Sequence, residues 1–255
     1  MVTAHELRVG LIEPLTDDSF LLGFAVPPQL RDAFAYRAGQ YVTIQTELTP
    51  GNLERRSYSI CRPPRQAWPD DPDADGLLVI GVKVLPGGRF SEWARDHLRV
   101  GDTLTVLTPT GRFTVRDDSP GRSYGALVAG SGITPVMALV GDVLETNPTA
   151  TFVLHLINRG PDQVMFARHL EQAQRRWPDR LRVVHHWSRT PGPDGTAAGR
   201  ITDDALVELL RTETADGVSE WFLCGPQPLV VRSQAALAEL GIGRRLVHTE
   251  LFHTG

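Results

Sequence analysis

The sequence predicts two domains: an N-terminal antiparallel Greek-key β-barrel over residues 1–118 and a C-terminal α/β, doubly wound domain with a parallel five-stranded sheet over residues 119–255. Three observations lead there. As far as Asp118 the apolar runs are short and broken by turn residues, the spacing of antiparallel strands that close on themselves. Beyond the turn-rich stretch Asp117-Asp118-Ser119-Pro120-Gly121, fully apolar strands alternate with amphipathic segments, an order that builds a parallel sheet with right-handed crossovers. The length of 255 residues, with 41% hydrophobic content, suits two compact units with ordinary cores.

Strands of the first half are expected at Phe20–Val26, Tyr41–Thr46, Leu77–Val84 and Thr103–Leu107. Ser91 reads as the cap of a short helix running through Trp93 and Ala94 to Leu98. In the second half the strands are Tyr124–Ala129, Thr151–Ile157, Leu181–Trp187, Trp221–Cys224 and Leu246–His248. Helices are expected between them at Pro135–Glu145, Gln163–Arg176, Thr202–Arg211 and Pro228–Leu240. Asp70–Gly76 and Pro191–Gly195 combine turn formers with charge or little bulk and read as solvated loops.

Composition removes several functions. The 26 basic and 30 acidic side chains are scattered and sum to −4, which gives no electropositive face for nucleic acid. Cys61 and Cys224 are too few for the four thiolates of a ferredoxin-type cluster or for a disulfide framework. The first nine residues lack a basic start and an apolar run, and no stretch of about 18 apolar residues occurs, so a cytoplasmic protein without membrane contact is expected. His185 and His186 are adjacent on a strand and point to opposite faces, so they cannot share a metal, and no metal is assigned.

The chemistry gathers around Arg56-Ser57-Tyr58-Ser59. Extended backbone sends Arg56 and Tyr58 to one face and Ser57 and Ser59 to the other. A flavin nucleotide uses a forked donor for its diphosphate, a ring to stack on the isoalloxazine and a hydroxyl near the redox-active nitrogen. Gly87-Gly88-Arg89-Phe90-Ser91 supplies a glycine turn and a helix N-terminus, a cradle for a diphosphate. Gly130-Ser131-Gly132-Ile133-Thr134-Pro135 repeats the device after the first strand of the second half. Pro135 stands where a G-x-G-x-x-G fingerprint has its third glycine, so this is not an ordinary dehydrogenase loop. Arg159 after the second parallel strand, and Ser188 with Arg189 after the third, suit a ribose 2′-phosphate and favour NADPH, with NADH as the alternative. Cys224-Gly225-Pro226 ends the fourth strand with little bulk, a slot for a nicotinamide against the flavin. Two cradles in two domains imply two nucleotides.

The order Arg56-x-Tyr58-Ser59, Gly88-x-x-Ser91, Gly130 to Pro135, Cys224-Gly225-Pro226 resembles the ferredoxin–NADP reductase superfamily over nearly the whole chain. Asn158-Arg159 with Met165-Phe166, Gly199-Arg200-Ile201, and the terminal His248-Thr249-Glu250-Leu251-Phe252 are similar to oxygenase reductase components of the phenylacetyl-CoA epoxidase and ketosteroid hydroxylase type. The resemblance implies an FAD barrel followed by an NAD(P) domain, with hydride transfer to FAD and one-electron steps onward. It places Arg56, Lys83 and the Gly88–Ser91 turn with Arg89 and Phe90 on the FAD, Tyr58 on the flavin, and Ser59 by its hydride-accepting nitrogen. It puts Cys224 beside the nicotinamide, makes Glu250 the acid at the flavin edge, and lets Phe252 shield the ring. Reductases of this type continue past the Glu-x-Phe segment into a 2Fe-2S domain. Either such a domain belongs to a longer form of this chain, or a separate ferredoxin-type protein takes the electrons and hands them to a terminal oxygenase. Arg55, Arg62 and Arg65 flank the flavin motif and are candidates for guiding an acidic acceptor. A reductase of free flavin and a non-catalytic FAD-binding regulatory subunit are the competing readings.

Overall fold

The computed structural model describes residues 2–49, 51–64 and 76–252. Its first half is a six-stranded antiparallel sheet: β1 (Ala4–Thr16), β2 (Ser19–Ala25), β3 (Tyr41–Thr49), β4 (Asn52–Ser59), β5 (Leu77–Lys83) and β6 (Thr103–Leu107). The order β4-β3-β6-β1-β2-β5 closes into a barrel where Ile60, just past β4, bridges Ile80 of β5 and the Cys61 N–H donates to the Val79 carbonyl at 3.0 Å. The long β1 bends at two register shifts, between Val9 and Leu11 and between Pro14 and Thr16, which lets one strand serve two neighbours. The alternating apolar faces of these strands enclose Leu22, Phe24, Val42, Ile44, Ile80 and Val106.

Helix α1 (Arg89–His97) plugs the barrel end with Phe90 and Ala94. Its N-cap is Gly88, with no side-chain cap, and Ser91 lies inside the first turn. The expected cap at Ser91 is therefore corrected. Its Oγ accepts from the Leu85 N–H at 3.3 Å and donates to the Gly88 carbonyl at 3.1 Å, bracing the turn that enters the helix.

The second half is a parallel sheet of β7 (Ser123–Ala129), β8 (Thr151–Asn158), β9 (Leu181–Trp187), β10 (Val218–Gly225) and β11 (Val247–Leu251), in the order β11-β10-β7-β8-β9. Four helices connect the strands: α2 (Ile133–Thr146), α3 (Ala167–Arg176), α4 (Asp203–Ala215) and α5 (Gln227–Glu239). Thr202 caps α4 by accepting from the Ala205 N–H at 3.2 Å, a contact that contributes about 1 kcal/mol. The helix expected from Gln163 begins instead at Ala167. Phe166 adopts a left-handed φ of 63°, the one such non-glycine residue among those described, and breaks the helical path. The order reverses at β7, so its carboxyl end and that of β10 flank the crevice where open α/β sheets bind ligands.

The two halves share a core. The largest hydrophobic cluster draws Leu21, Cys61, Val79 and Phe113 from the barrel side onto Val136, Phe166 and Phe222. Phe113 meets Phe222 edge-on at 5.3 Å. Gly81 of β5 lies so close to the second half that a Cβ there would sit 2.6 Å from Thr134 Cγ2 and 3.2 Å from Phe166 Cζ. Pro191–Gly195 is irregular, as expected, while 70–75 and Arg65 fall outside the described residues.

Candidate active site

A cleft of about 1380 Å³ opens where the barrel meets the carboxyl end of the parallel sheet. All four residues of the Arg56-Ser57-Tyr58-Ser59 run line it, and they belong to β4 itself. Arg56 pairs across the sheet with Ile44 and Tyr58 with Val42, both core residues, whereas Ser57 pairs with Thr43. The Ser57 and Thr43 hydroxyls meet at 3.0 Å on the outer face, so the two faces separate as alternation requires. Tyr58 packs on Phe90 at 5.6 Å, and burial pushes its phenol well above the usual range, which keeps it neutral.

Ser59 makes a polar contact between the domains. Its Oγ donates to Glu250 Oε1 at 3.0 Å, across 191 positions of sequence. Burial raises the Glu250 carboxyl from 4.5 to about 7, and the Ser59 hydrogen bond opposes that rise only in part. Cys224 is the register partner of Glu250 in β10. Its thiol is fully buried and held well above its ordinary value, first by burial and then by the Glu250 charge. It is neutral, and no thiolate nucleophile is available there.

From the barrel, Lys83, Gly88, Arg89, Phe90 and Ser91 also line the cleft, and from the second half Ser131, Thr134, Arg159, Glu250 and Phe252. The Lys83 ammonium is engaged by Asp18 at 2.8 Å. Gly130, Gly132, Pro135, Ser188, Arg189, Cys224, Gly225 and Pro226 stand outside that lining. Gly132 is pressed against β10, where a Cβ would come within 2.4 Å of the Cys224 carbonyl oxygen. Ser188 donates its hydroxyl to the Asn158 carbonyl at 3.0 Å, and the Arg189 N–H donates to the Arg159 carbonyl at 3.0 Å, so the ends of β8 and β9 hold these three residues side by side. Arg62 is only 4% exposed, which removes it as a surface guide for an acceptor. Glu54, which the sequence reading passed over, pairs with both Arg56 and Arg89. Period-2 alternation from Arg56 would have placed it on the same face.

The donor set fits a flavin dinucleotide. Two guanidinium groups, the side-chain-uncapped N-terminus of α1, the Tyr58 ring and the Ser59 hydroxyl all line the one cleft. Residues 6–115 match the oxidoreductase FAD-binding domain and residues 127–234 match the oxidoreductase NAD-binding domain. A component of the 1,2-phenylacetyl-CoA epoxidase of Escherichia coli is 34% identical over 259 residues, covering 100% of this chain and 69% of its own. The ferredoxin reductase component of 3-ketosteroid-9-alpha-monooxygenase from Rhodococcus rhodochrous is 34% identical over 248 residues, 97% of this chain and 65% of its own.

The chain belongs to the ferredoxin–NADP reductase family. It is an oxidoreductase with an FAD-binding and an NAD(P)-binding domain, and it spans about two thirds of the length of the relatives it matches. The fold agrees. A cytochrome P450 reductase of Amycolatopsis superposes with a TM-score of 0.79 at 24% identity, covering 100% of this chain and 72% of that one. Ferredoxin–NADP+ reductase from Plasmodium falciparum gives 0.76 at 16% identity, covering 98% and 97%. No described helix is long and apolar enough to cross a membrane.

Proposed function

We propose that the chain is the reductase part of an oxygenase system, taking electrons from NADPH, or NADH in its place, and passing them singly to an iron–sulfur acceptor. The observation that carries this reading is the Ser59–Glu250 contact, which sets a hydroxyl and a titratable carboxyl from two domains together at the cleft wall. When bound, FAD supplies acceptance of a hydride from the nicotinamide and release of single electrons.

The chain's own residues divide the remaining work. Arg56, Arg89 and the first turn of α1 hold the diphosphate, and Tyr58 offers a ring face. The Gly130–Pro135 segment and α2 orient the pyridine nucleotide, with Arg159, Ser188 and Arg189 at its 2′-phosphate. Ser59 Oγ and Glu250 Oε1 share a hydrogen, and a carboxyl that titrates near neutrality can give or take a proton there. Cys224, neutral and buried, shapes the end of β10 and holds no charge near the reacting groups. Support for the acceptor class comes from the relatives, which are named as reductase components of monooxygenases.

Anaerobic titration of the purified protein with NADPH and then NADH, following the flavin absorption bands, tests the reading. Bleaching by NADPH, followed by reoxidation with a 2Fe-2S ferredoxin, is expected. A colourless protein that takes up no FAD ends it, and steady turnover on added free flavin with none on ferredoxin replaces it with a flavin reductase.

A further inference from the structure

Behind the two cations of the barrel cradle lies an anion. Glu54 Oε2 meets Arg56 Nη2 at 2.9 Å, and Glu54 Oε1 meets Arg89 Nη1 at 2.8 Å, so each oxygen of one carboxylate takes one guanidinium. The carboxylate side chain is 9% exposed, whereas Arg56 and Arg89 are 48% and 45% exposed. Both arginines line the cleft and Glu54 does not. The anion therefore backs the two cations, which themselves reach the cleft wall. Each guanidinium has further tethers: Arg56 Nη1 donates to the Arg55 carbonyl at 2.9 Å, Arg89 Nη2 donates to Thr49 Oγ1 at 3.2 Å, and the Asn52 side-chain oxygen accepts from Arg89 Nη1 at 2.8 Å and Nη2 at 3.2 Å. Two arginines from different elements, β4 and α1, would otherwise repel and keep their rotamer freedom; one shared carboxylate removes both obstacles at the cost of one charge.

We infer that Glu54 is a positioning residue that spaces Arg56 and Arg89 for two linked phosphates, and so makes the site select a diphosphate flavin over a monophosphate one. This rests on the FAD reading above. One cation is offered to each phosphate, with the pair left at a net charge of about +1 against a diphosphate of about −2. FAD brings two linked phosphates to the pair and FMN only one to be shared between them, so FMN gains less from the arrangement than FAD. Riboflavin, with no phosphate, gains nothing from it.

Equilibrium binding of FAD, FMN and riboflavin to the apo full chain, measured by quenching of flavin fluorescence, tests the inference in wild type, Glu54→Ala, Glu54→Gln and Glu54→Asp. Glu54→Ala is expected to weaken FAD about tenfold and FMN by no more than about threefold, with riboflavin unmoved; Glu54→Asp is expected to recover part of the loss. In a background carrying Arg56→Ala and Arg89→Ala, Glu54→Ala is expected to change nothing further, because its effect passes through those side chains. Glu54→Gln keeps the shape and loses the charge, so it guards against a variant that fails to fold. An unchanged ratio of FAD to FMN affinity, tighter FAD binding in Glu54→Ala, or an equal loss for all three flavins would overturn the role while leaving the FAD reading standing. Wild-type protein that binds no flavin would end both, and that result is visible before any variant is made.

Discussion

Each end of the parallel sheet holds a glutamate, one buried and one half-buried, and the surroundings of the two differ in kind. At the amino end of β10, Glu220 is wholly enclosed. Its Oε1 accepts from the Arg116 N–H at 2.7 Å and lies 2.8 Å from His248 Nε2, while Oε2 accepts from the Asp117 N–H at 3.3 Å and lies 3.9 Å from Arg122 Nε. At the carboxyl end of β11, Glu250 has the Ser59 hydroxyl and a cleft. The first carboxylate ties the segment that links the domains to two strands. The second has too little solvation and too few donors to keep its carboxyl in the usual acid range, and it titrates near neutrality. Saturation of a buried acid with donors makes a structural joint, and withholding donors makes a proton site.

The comparison breaks most sharply at Glu220. Replacing it with alanine strands His248, two backbone N–H groups and Arg122, and about 3–5 kcal/mol of stability is expected to go, read from urea unfolding. The same change at Glu250 above pH 8 is expected to cost little, because the carboxylate it removes is poorly solvated there. Next in size is the pH term. The folded-state value near 7 lies above the unfolded 4.5, so the folded protein binds that proton more tightly. Its contribution is complete below pH 4.5 and lost as the pH rises through 7, on the order of 3 kcal/mol in all. The apo-protein with Glu250→Gln is expected to lose that slope in unfolding measurements between pH 5 and 8. Burial lowers His155 to about 4 and lowers His185 and His186 as well, so their contributions run the other way and fade as the pH falls below 6.5. Only the difference between wild type and Glu250→Gln isolates the carboxyl.

Two smaller effects sharpen the carboxyl end. Ser59→Ala is expected to keep FAD and slow its reduction by NADPH on the order of 10²-fold in rapid mixing; unchanged reduction would remove Ser59 from the hydride step. Arg189→Ala is expected to weaken NADPH about tenfold with NADH little affected, a loss of one phosphate contact. Equal losses for both nucleotides would remove the 2′-phosphate assignment.

The elements were legible where local chemistry decides them. Leu181–Trp187 and Thr103–Leu107 fall on the expected bounds because uninterrupted apolar or alternating runs end at turn formers. The glycine segment at Gly130 could be placed on a strand-to-helix junction for the same reason. Contacts remote in sequence were not legible. Ser91 looks like a cap because serine usually is one, yet the preceding glycine turn takes that place. Lys83 reads as a free cation until Asp18 is brought beside it. Glu54 reads as one charge in a run, since its second partner lies 35 positions on in another element. Glu220 carried a signal that went unused: a lone acid inside Val218–Gly225, an otherwise largely apolar strand, has to find buried donors.

The barrel seam has a consequence for how the molecule breathes. Among the described residues its last joint is the Ile60–Ile80 bridge and the Cys61-to-Val79 hydrogen bond, whereas β2 and β5 pair along seven positions. A wall that unzips does so at its shortest joint, and this one adjoins Ser59. In a hydrogen–deuterium exchange map, the Cys61 amide, which donates across that joint, should therefore exchange ahead of those in β2, opening the flavin side of the barrel while the rest still holds.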